Sequence, residues 1–225
     1  MLNYKNYIFD FDGVILDTEA VHFNVFKNYL NDNYNFNLTL NDYIKSVGAD
    51  SNTLLELLYR KYELKIDKQE FNDKNYEEIK RLNSQLPIMN GVLELLHLLK
   101  SNNRQLFLCS SSKRDKIIYH LNRLNIIDLF DGLITGDDVK NIKPNPDIYL
   151  KAVSDYKLNK KDTIIIEDSV NGLKAGKSAG IDVIIVTNII TKNGSFTDCL
   201  KKFDNMIECK KFIEGNINDR SDYWR

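Results

Sequence analysis

The chain has 225 residues, of which 43% are hydrophobic and 28% charged, so it can bury a core larger than that of one small domain. Its 31 Lys and Arg residues nearly balance its 32 Asp and Glu residues, which argues against nucleic acid or a membrane surface as a partner. The apolar stretches fall short of the roughly 20 residues that a membrane-spanning helix needs.

The start of the sequence leads directly into an apolar run and carries no pattern of a signal peptide or an anchor. The three cysteines, Cys109, Cys199 and Cys209, lack both a paired framework and the spacing of a zinc site. These features predict a cytoplasmic location, and we expect a monomer or a weak dimer.

Short apolar runs without polar alternation predict strands that are buried on both faces of a sheet. The first run is Tyr7–Phe9, and later runs are Leu106–Leu108, Leu133–Ile134, Ile164–Ile166 and Val183–Val186. From residue 90 onward, segments with helical period lie between these runs. Because strand and helix alternate, the sequence predicts an α/β fold with a Rossmann-like parallel sheet.

The stretch after the first strand interrupts this alternation. Residues 17–87 carry helical patterns only, with apolar clusters at Val25–Leu30 and Leu54–Leu58. This predicts an inserted α-helical cap domain over residues 17–87, and a catalytic core made of residues 1–16 and 88–225. The polar tail after Gly215, which includes Trp224, is expected to fray.

Two acids, Asp10 and Asp12, follow the first predicted strand. Residues two apart in an extended chain project to the same side, while Phe11 between them turns into the core. Two ionised carboxylates this close repel each other unless a cation or a proton relieves them. Gly13 permits the tight turn that follows. The alternative is a pair of solvated loop acids that cap a helix.

Two further segments carry groups that suit an anion. Ser110-Ser111-Ser112 ends the second strand, where hydroxyls and the first helical amides can hold an anion or simply cap the helix. In Lys143-Pro144-Asn145-Pro146 two prolines fix the backbone around one lysine. This indicates that the ammonium group of the lysine is held in a fixed position. The alternative is a helix that begins at a proline beside a surface lysine.

Glu167 and Asp168 directly follow the buried run Ile164–Ile166. In an open α/β sheet, ligands bind at the carboxyl ends of the strands. If the sheet is parallel, these acids therefore lie in one crevice with the three segments described above.

Together the four segments resemble the ordered motifs of the haloacid dehalogenase superfamily. The segments are Asp10–Val14, Ser110 at its strand end, Lys143-Pro144 and Glu167–Ser169. Three more segments resemble its β-phosphoglucomutase-like phosphatases with a helical cap. They are Asp17–Glu19, Pro146–Tyr149 and Asn171–Leu173.

The resemblance implies that Asp10 attacks phosphorus and forms an aspartyl-phosphate. Asp12 then protonates the leaving oxygen and later deprotonates the attacking water. Ser110 and Lys143 stabilise the charge of the transferring phosphoryl group, and Ser111, together with the backbone at Gly13, contributes to phosphate binding.

The resemblance also implies a bound Mg²⁺ ion. Its ligands would be Asp10, the backbone carbonyl of Asp12 and Asp168, which form the hard oxygen site that Mg²⁺ prefers. Glu167 would stand behind these ligands and orient water held by the ion.

The predicted function is Mg²⁺-dependent hydrolysis of a small phosphate monoester, with a small phosphorylated metabolite as the substrate. One alternative is a β-phosphoglucomutase-type phosphomutase, although Ser46–Ser51 lacks the cap arginine that related mutases carry. Another is a non-catalytic phosphate-binding protein. His22 lies where related mutases have a histidine near the substrate, and we expect a structural or solvated role for it.

Overall fold

In the computed structural model, which describes residues 4–49 and 51–218, six parallel strands form one sheet. The strands are β1 (Asn6–Phe9), β2 (Gln105–Ser110), β3 (Gly132–Thr135), β4 (Thr163–Glu167), β5 (Asp182–Val186) and β6 (Lys201–Phe203). Their order is β3-β2-β1-β4-β5-β6, so β1 lies at the centre between β2 and β4. The predicted Rossmann-like parallel sheet is confirmed, and β6 is a strand that the sequence did not predict.

Nine α-helices surround or extend this sheet in the described part of the chain. They are α1 (Thr18–Tyr34), α2 (Leu40–Tyr43), α3 (Ser51–Tyr62), α4 (Lys68–Asn83), α5 (Val92–Ser101), α6 (Arg114–Arg123), α7 (Asp147–Asp155), α8 (Val170–Ala179) and α9 (Met206–Asn218). The end of the polar tail, with Trp224, lies outside the described residues.

The central strands are buried on both faces, as their unbroken apolar runs predict. In β4, Ile164 and Ile166 face a cluster formed with α5, α6 and α9, whereas Ile165 faces a second cluster formed with α7 and α8. Helices on both faces leave only the strand ends open to a ligand, which places any site at an edge of the sheet.

Helices α1 to α4 pack around a third apolar cluster, built around Phe26, Leu30, Leu54, Leu58 and Phe71 and joined by Ile190 from the loop after β5. We therefore propose the cap of residues 17–87 as a unit separate from the core of residues 1–16 and 88–225. This division stays a prediction.

None of the described helices combines the length and the apolar character that crossing a membrane requires. The three cysteines are free thiols, and Cys109 and Cys209 are buried. The cytoplasmic location and the oligomeric state stay predictions.

Candidate active site

The parallel sheet gathers the predicted residues at the carboxyl ends of three adjacent strands. Asp10 directly follows β1, Ser110 is the last residue of β2, and Glu167 is the last residue of β4. Because β1 lies between β2 and β4, the ends of these strands meet at one edge. Three of the four motifs therefore converge here, as the parallel arrangement predicts.

Three buried carboxylates form the centre of this edge. One oxygen each from Asp10, Glu167 and Asp168 lies within 4.8 Å of the others. Gly13 makes room for them, because its φ of +77° suits glycine and a Cβ there would overlap the Asp168 carboxylate. Burial and the Glu167 carboxylate raise the pKa of Asp10 and that of Asp168, so the cluster favours a cation or a proton.

Lys143 supplies one positive charge to this cluster. Its ammonium nitrogen lies 2.7 Å from Asp10 Oδ1 and 2.6 Å from Glu167 Oε1, and it donates to the Cys109 carbonyl at 3.2 Å. Burial lowers the pKa of Lys143, but the Asp10 and Glu167 carboxylates outweigh it and raise that pKa above its usual value. The lysine in the proline-fixed segment is therefore a charged group held in the crevice.

Glu167 has both of its oxygens occupied by protein donors. The Tyr149 hydroxyl donates to Oε1 at 2.8 Å, beside Lys143. Oε2 accepts from the backbone amides of Asp168 and Ser169 and from the Ser169 hydroxyl, at 3.0 to 3.2 Å. Since Asp168 Oδ1 is buried without a hydrogen-bond partner, Asp168 is freer than Glu167 to bind a cation.

Asp12 lies in a hydrogen-bond network of its own. Its Oδ1 accepts from the Thr18 hydroxyl at 2.6 Å and from Lys116 Nζ at 2.7 Å, and its Oδ2 accepts from the Ser112 hydroxyl at 2.6 Å. Burial raises the pKa of Asp12, but Lys116, His22 and the Ser112 hydroxyl together outweigh burial and hold that pKa below its usual range. In the absence of substrate, these contacts favour the ionised carboxylate.

The serines at the end of β2 make different contacts. Ser110 is buried, and its hydroxyl oxygen accepts from the Ser112 amide at 3.1 Å. The Ser111 hydroxyl instead donates to the carbonyl of Gly48 in the cap at 3.2 Å. The predicted phosphate-binding role of Ser111 stays a prediction, and in this structure its hydroxyl joins the end of β2 to the proposed cap.

Sequence reasoning missed Lys116 and Asn188, and it named Ser112, Thr18 and Tyr149 only as members of longer segments, with no role in the site. Lys116 lies in the first turn of α6, and its Nζ donates at 3.0 Å to the hydroxyl of Ser112, which precedes that helix, so both residues reach Asp12. Asn188 lies two residues after β5, at the sheet edge where Asp168 follows β4, so the strand-end argument that found Asp168 would also have pointed to it.

Two cap residues approach the same crevice from helix α1. Glu19 is buried, and its carboxylate accepts from the Tyr43 hydroxyl at 2.7 Å. Burial and the Asp12 carboxylate raise the pKa of Glu19 to about 7. Burial and Lys116 lower the pKa of His22 to about 4, and its Nε2 lies 3.4 Å from the Asn83 side-chain amide.

The raised pKa of Glu19 predicts that the wild-type protein loses stability as the pH rises, relative to a variant that is neutral at this position. In the folded protein the protonated form persists to about pH 7, whereas the ordinary pKa of a glutamate is 4.5. The contribution of Glu19 to the free energy of unfolding is therefore fully present below pH 4.5 and is lost as the pH rises through 7. The Glu19→Gln variant stays neutral at this position. Between pH 4.5 and about 7 we therefore expect its free energy of unfolding to rise relative to that of the wild type by up to about 3 kcal/mol.

Urea unfolding at several pH values with EDTA present measures this difference. The exposed cap residue Glu77 provides the control, because Glu77→Gln should follow the wild type at every pH. A Glu19→Gln variant that runs parallel to the wild type across the window would contradict the prediction.

Comparison with known proteins identifies the family. Residues 7–186 match the family model described as haloacid dehalogenase-like hydrolase. The chain is 34% identical over 178 residues to phosphorylated carbohydrates phosphatase from Thermotoga maritima, across 79% of this chain and 82% of that protein. It is 33% identical over 184 residues to β-phosphoglucomutase from Bacillus subtilis, across 79% of this chain and 80% of that enzyme.

The fold gives the same result. The crystal structure of β-phosphoglucomutase from Clostridium difficile aligns with a TM-score of 0.76 and 27% identity, across 96% of this chain and 98% of that one. The resemblance recognised from the four motifs is thus confirmed by sequence and by fold. The chain belongs to the haloacid dehalogenase-like hydrolase family and is an enzyme of the phosphatase class.

Proposed function

We propose that this enzyme hydrolyses monophosphates of small carbohydrates with Mg²⁺, through an aspartyl-phosphate on Asp10. One observation carries the proposal: the buried Asp10 carboxylate is paired with Lys143 in a cluster that includes Asp168. A nucleophile, a fixed cation and a carboxylate with an unsatisfied oxygen are the groups that phosphoryl transfer needs. The name of the Thermotoga maritima relative supports the carbohydrate class.

The residues of the cluster fit Mg²⁺. Carboxylate oxygens are hard ligands, and Asp168 Oδ1 is a buried acceptor with no hydrogen-bond donor in the described structure. Asp10, Asp168 and the Asp12 backbone carbonyl would hold the ion. When bound, Mg²⁺ neutralises negative charge on the phosphoryl oxygens.

In the first step, an Asp10 oxygen bonds to phosphorus while the bond from phosphorus to the leaving oxygen breaks. Asp12 gives its proton to that oxygen, and the negative charge of the bound phosphoryl group helps Asp12 to hold this proton beforehand, because a nearby anion raises the pKa of a carboxyl group. In the second step, Asp12 takes a proton from water, the hydroxide bonds to phosphorus and the bond to Asp10 breaks.

The fixed charges of the site suit the transferred group. Lys143 and the hydroxyl of Ser110 stabilise the charge that spreads over the phosphoryl oxygens. The contacts of Glu167 with Lys143 and Tyr149 hold that lysine in place before substrate arrives, so little reorganisation is needed during the reaction.

Mutase action is the second candidate, because the Bacillus subtilis and Clostridium difficile relatives are named β-phosphoglucomutase. A mutase must hold a bisphosphate intermediate, which calls for a bidentate cation on the cap side. Ser46–Ser51 offers no arginine. Arg60 on α3 has a side chain that is 79% exposed, and it pairs with Glu56. These observations favour hydrolysis.

Phosphorus NMR with hexose and pentose monophosphates tests the proposed function. We expect inorganic phosphate to accumulate with Mg²⁺, little positional isomer to form even with a sugar bisphosphate primer, and the reaction to stop in EDTA. Rapid formation of the isomer ahead of free phosphate would establish the mutase instead. Turnover that persists after thorough chelation would rule out the proposed role of Mg²⁺.

A further inference from the structure

We infer that Asn188 is a positioning residue for Asp168, and that it fixes which oxygen of this carboxylate is available to Mg²⁺. The inference rests on the proposed function. Asn188 lies two residues after β5, the neighbour of β4 in the sheet, and Glu167 pairs with Ile185 in their ladder. The sheet therefore brings Asn188 to the edge where Asp168 lies.

The side-chain amide of Asn188 makes four hydrogen bonds. Its Nδ2 donates to Asp168 Oδ2 at 2.7 Å and to the Gly13 carbonyl at 3.2 Å. Its Oδ1 accepts from the backbone amides of Ile190 and Thr191 at 2.9 and 3.0 Å. Because only the oxygen can accept these two N–H groups, the amide cannot be turned over, and its NH₂ group must face Asp168.

This contact makes the two oxygens of Asp168 unequal. Oδ2 is held by Asn188, whereas Oδ1 is buried and has no hydrogen-bond partner in the described structure. A buried acceptor without a donor is costly, and a cation in the carboxylate cluster would satisfy it. The Asn188 bond opposes rotation of the carboxylate, so Oδ1 stays the oxygen of Asp168 that has no protein donor.

The loop that carries Asn188 is fixed from the cap side as well. Ile190 is 5% exposed and belongs to the apolar cluster of the cap. The Thr191 hydroxyl, itself buried, accepts from the Asn188 backbone amide at 3.1 Å. Ordering this loop requires only Oδ1 of Asn188, which accepts the two backbone N–H groups. The bond from Nδ2 to Asp168 is therefore the contact that indicates a role in the site.

Titration with MgCl₂ alone, followed by thermal unfolding, tests the inference without relying on activity. Bound Mg²⁺ raises the unfolding temperature in proportion to its saturation, so the titration gives an affinity. We expect Asn188→Ala to weaken Mg²⁺ binding by about 10-fold to 100-fold, the range found when a residue that orients a metal ligand is lost. Asn188→Ser, which retains a local acceptor for the loop, replaces it if the alanine variant does not fold.

Two variants separate positioning from loop structure. Thr191→Val loosens the loop but leaves the amide contact, so its Mg²⁺ affinity should stay close to that of the wild type. Asn159 lies before the start of β4, at the end of the strand opposite to Asp168, and its side chain also accepts a backbone N–H. Asn159→Ala should therefore leave the Mg²⁺ affinity unchanged.

Equal losses in Asn188→Ala and Thr191→Val, or no loss in Asn188→Ala, would overturn the inference and leave the proposed function intact. A wild-type protein whose unfolding temperature does not respond to Mg²⁺ would instead overturn the metal role in the proposed function, and the inference with it.

Discussion

Replacing Asp10 by asparagine is expected to lower the rate of phosphate release by roughly 10⁴-fold or more, the scale of loss when a nucleophile is removed. The amide has the shape of the carboxylate but cannot form the aspartyl-phosphate, and it is a poor ligand for Mg²⁺. Asp10 is 3% exposed, and the substitution leaves no cavity there because the amide fills the space of the carboxylate. Initial rates with a sugar monophosphate and Mg²⁺ measure the effect.

The same variant should retain its stability when Mg²⁺ is absent. Burial and Glu167 raise the pKa of Asp10, so its ionised form is unfavourable in the empty cluster, and a neutral amide relieves this cost. Circular dichroism melts in EDTA check the fold, and Asp128→Asn, at an exposed residue, is the control that should retain full activity. Substantial phosphate release by Asp10→Asn would remove Asp10 from the proposed role.

Replacing Asp12 by asparagine should have the second largest effect, a loss of about 100-fold to 10,000-fold with an alkyl phosphate. An alkoxide leaves poorly unless it is protonated, and the amide has no proton of suitable acidity to give. An aryl phosphate needs less help, because its leaving group is a weak base. The expected loss in the first step is therefore smaller for the aryl substrate.

Single-turnover measurements with both substrates separate the two functions of Asp12. The second step needs Asp12 as a base for either substrate, so the aspartyl-phosphate should persist longer in the variant. Equal losses in the first step for alkyl and aryl phosphates would show that Asp12 is not the acid. Lys116, which bonds to Asp12 at 2.7 Å, remains in the variant and can hold the amide oxygen in the same place.

Much of this enzyme could be predicted from its sequence, because the features concerned are local. A strand that is buried on both faces must be apolar throughout, so Ile164–Ile166 and the similar runs stand out directly. The topology of a parallel sheet then brings the residues after such strands to one edge, which is why the sequence by itself places Asp10 and Asp168 together. Their chemical roles stay proposals.

The tertiary structure alone decided which partners surround these acids. Lys116 meets Asp12 across 104 positions of the chain, and Asn188 meets Asp168 across 20. The periodicity of α6 identifies Ile117 and Leu121 as its buried side. It does not tell whether the neighbouring Lys116 turns to solvent or into the crevice, because that depends on how the helix packs on the sheet.

The same limit applies to the contact between core and cap. The sequence predicts Ser111 as a phosphate ligand, because serines that precede a helix offer hydroxyls to an anion, and this role stays a prediction. In the structure its hydroxyl donates to the carbonyl of Gly48, 63 residues away. A short serine side chain bonds to whichever acceptor the fold brings within reach, and the docking of the cap on the strand ends determines that acceptor.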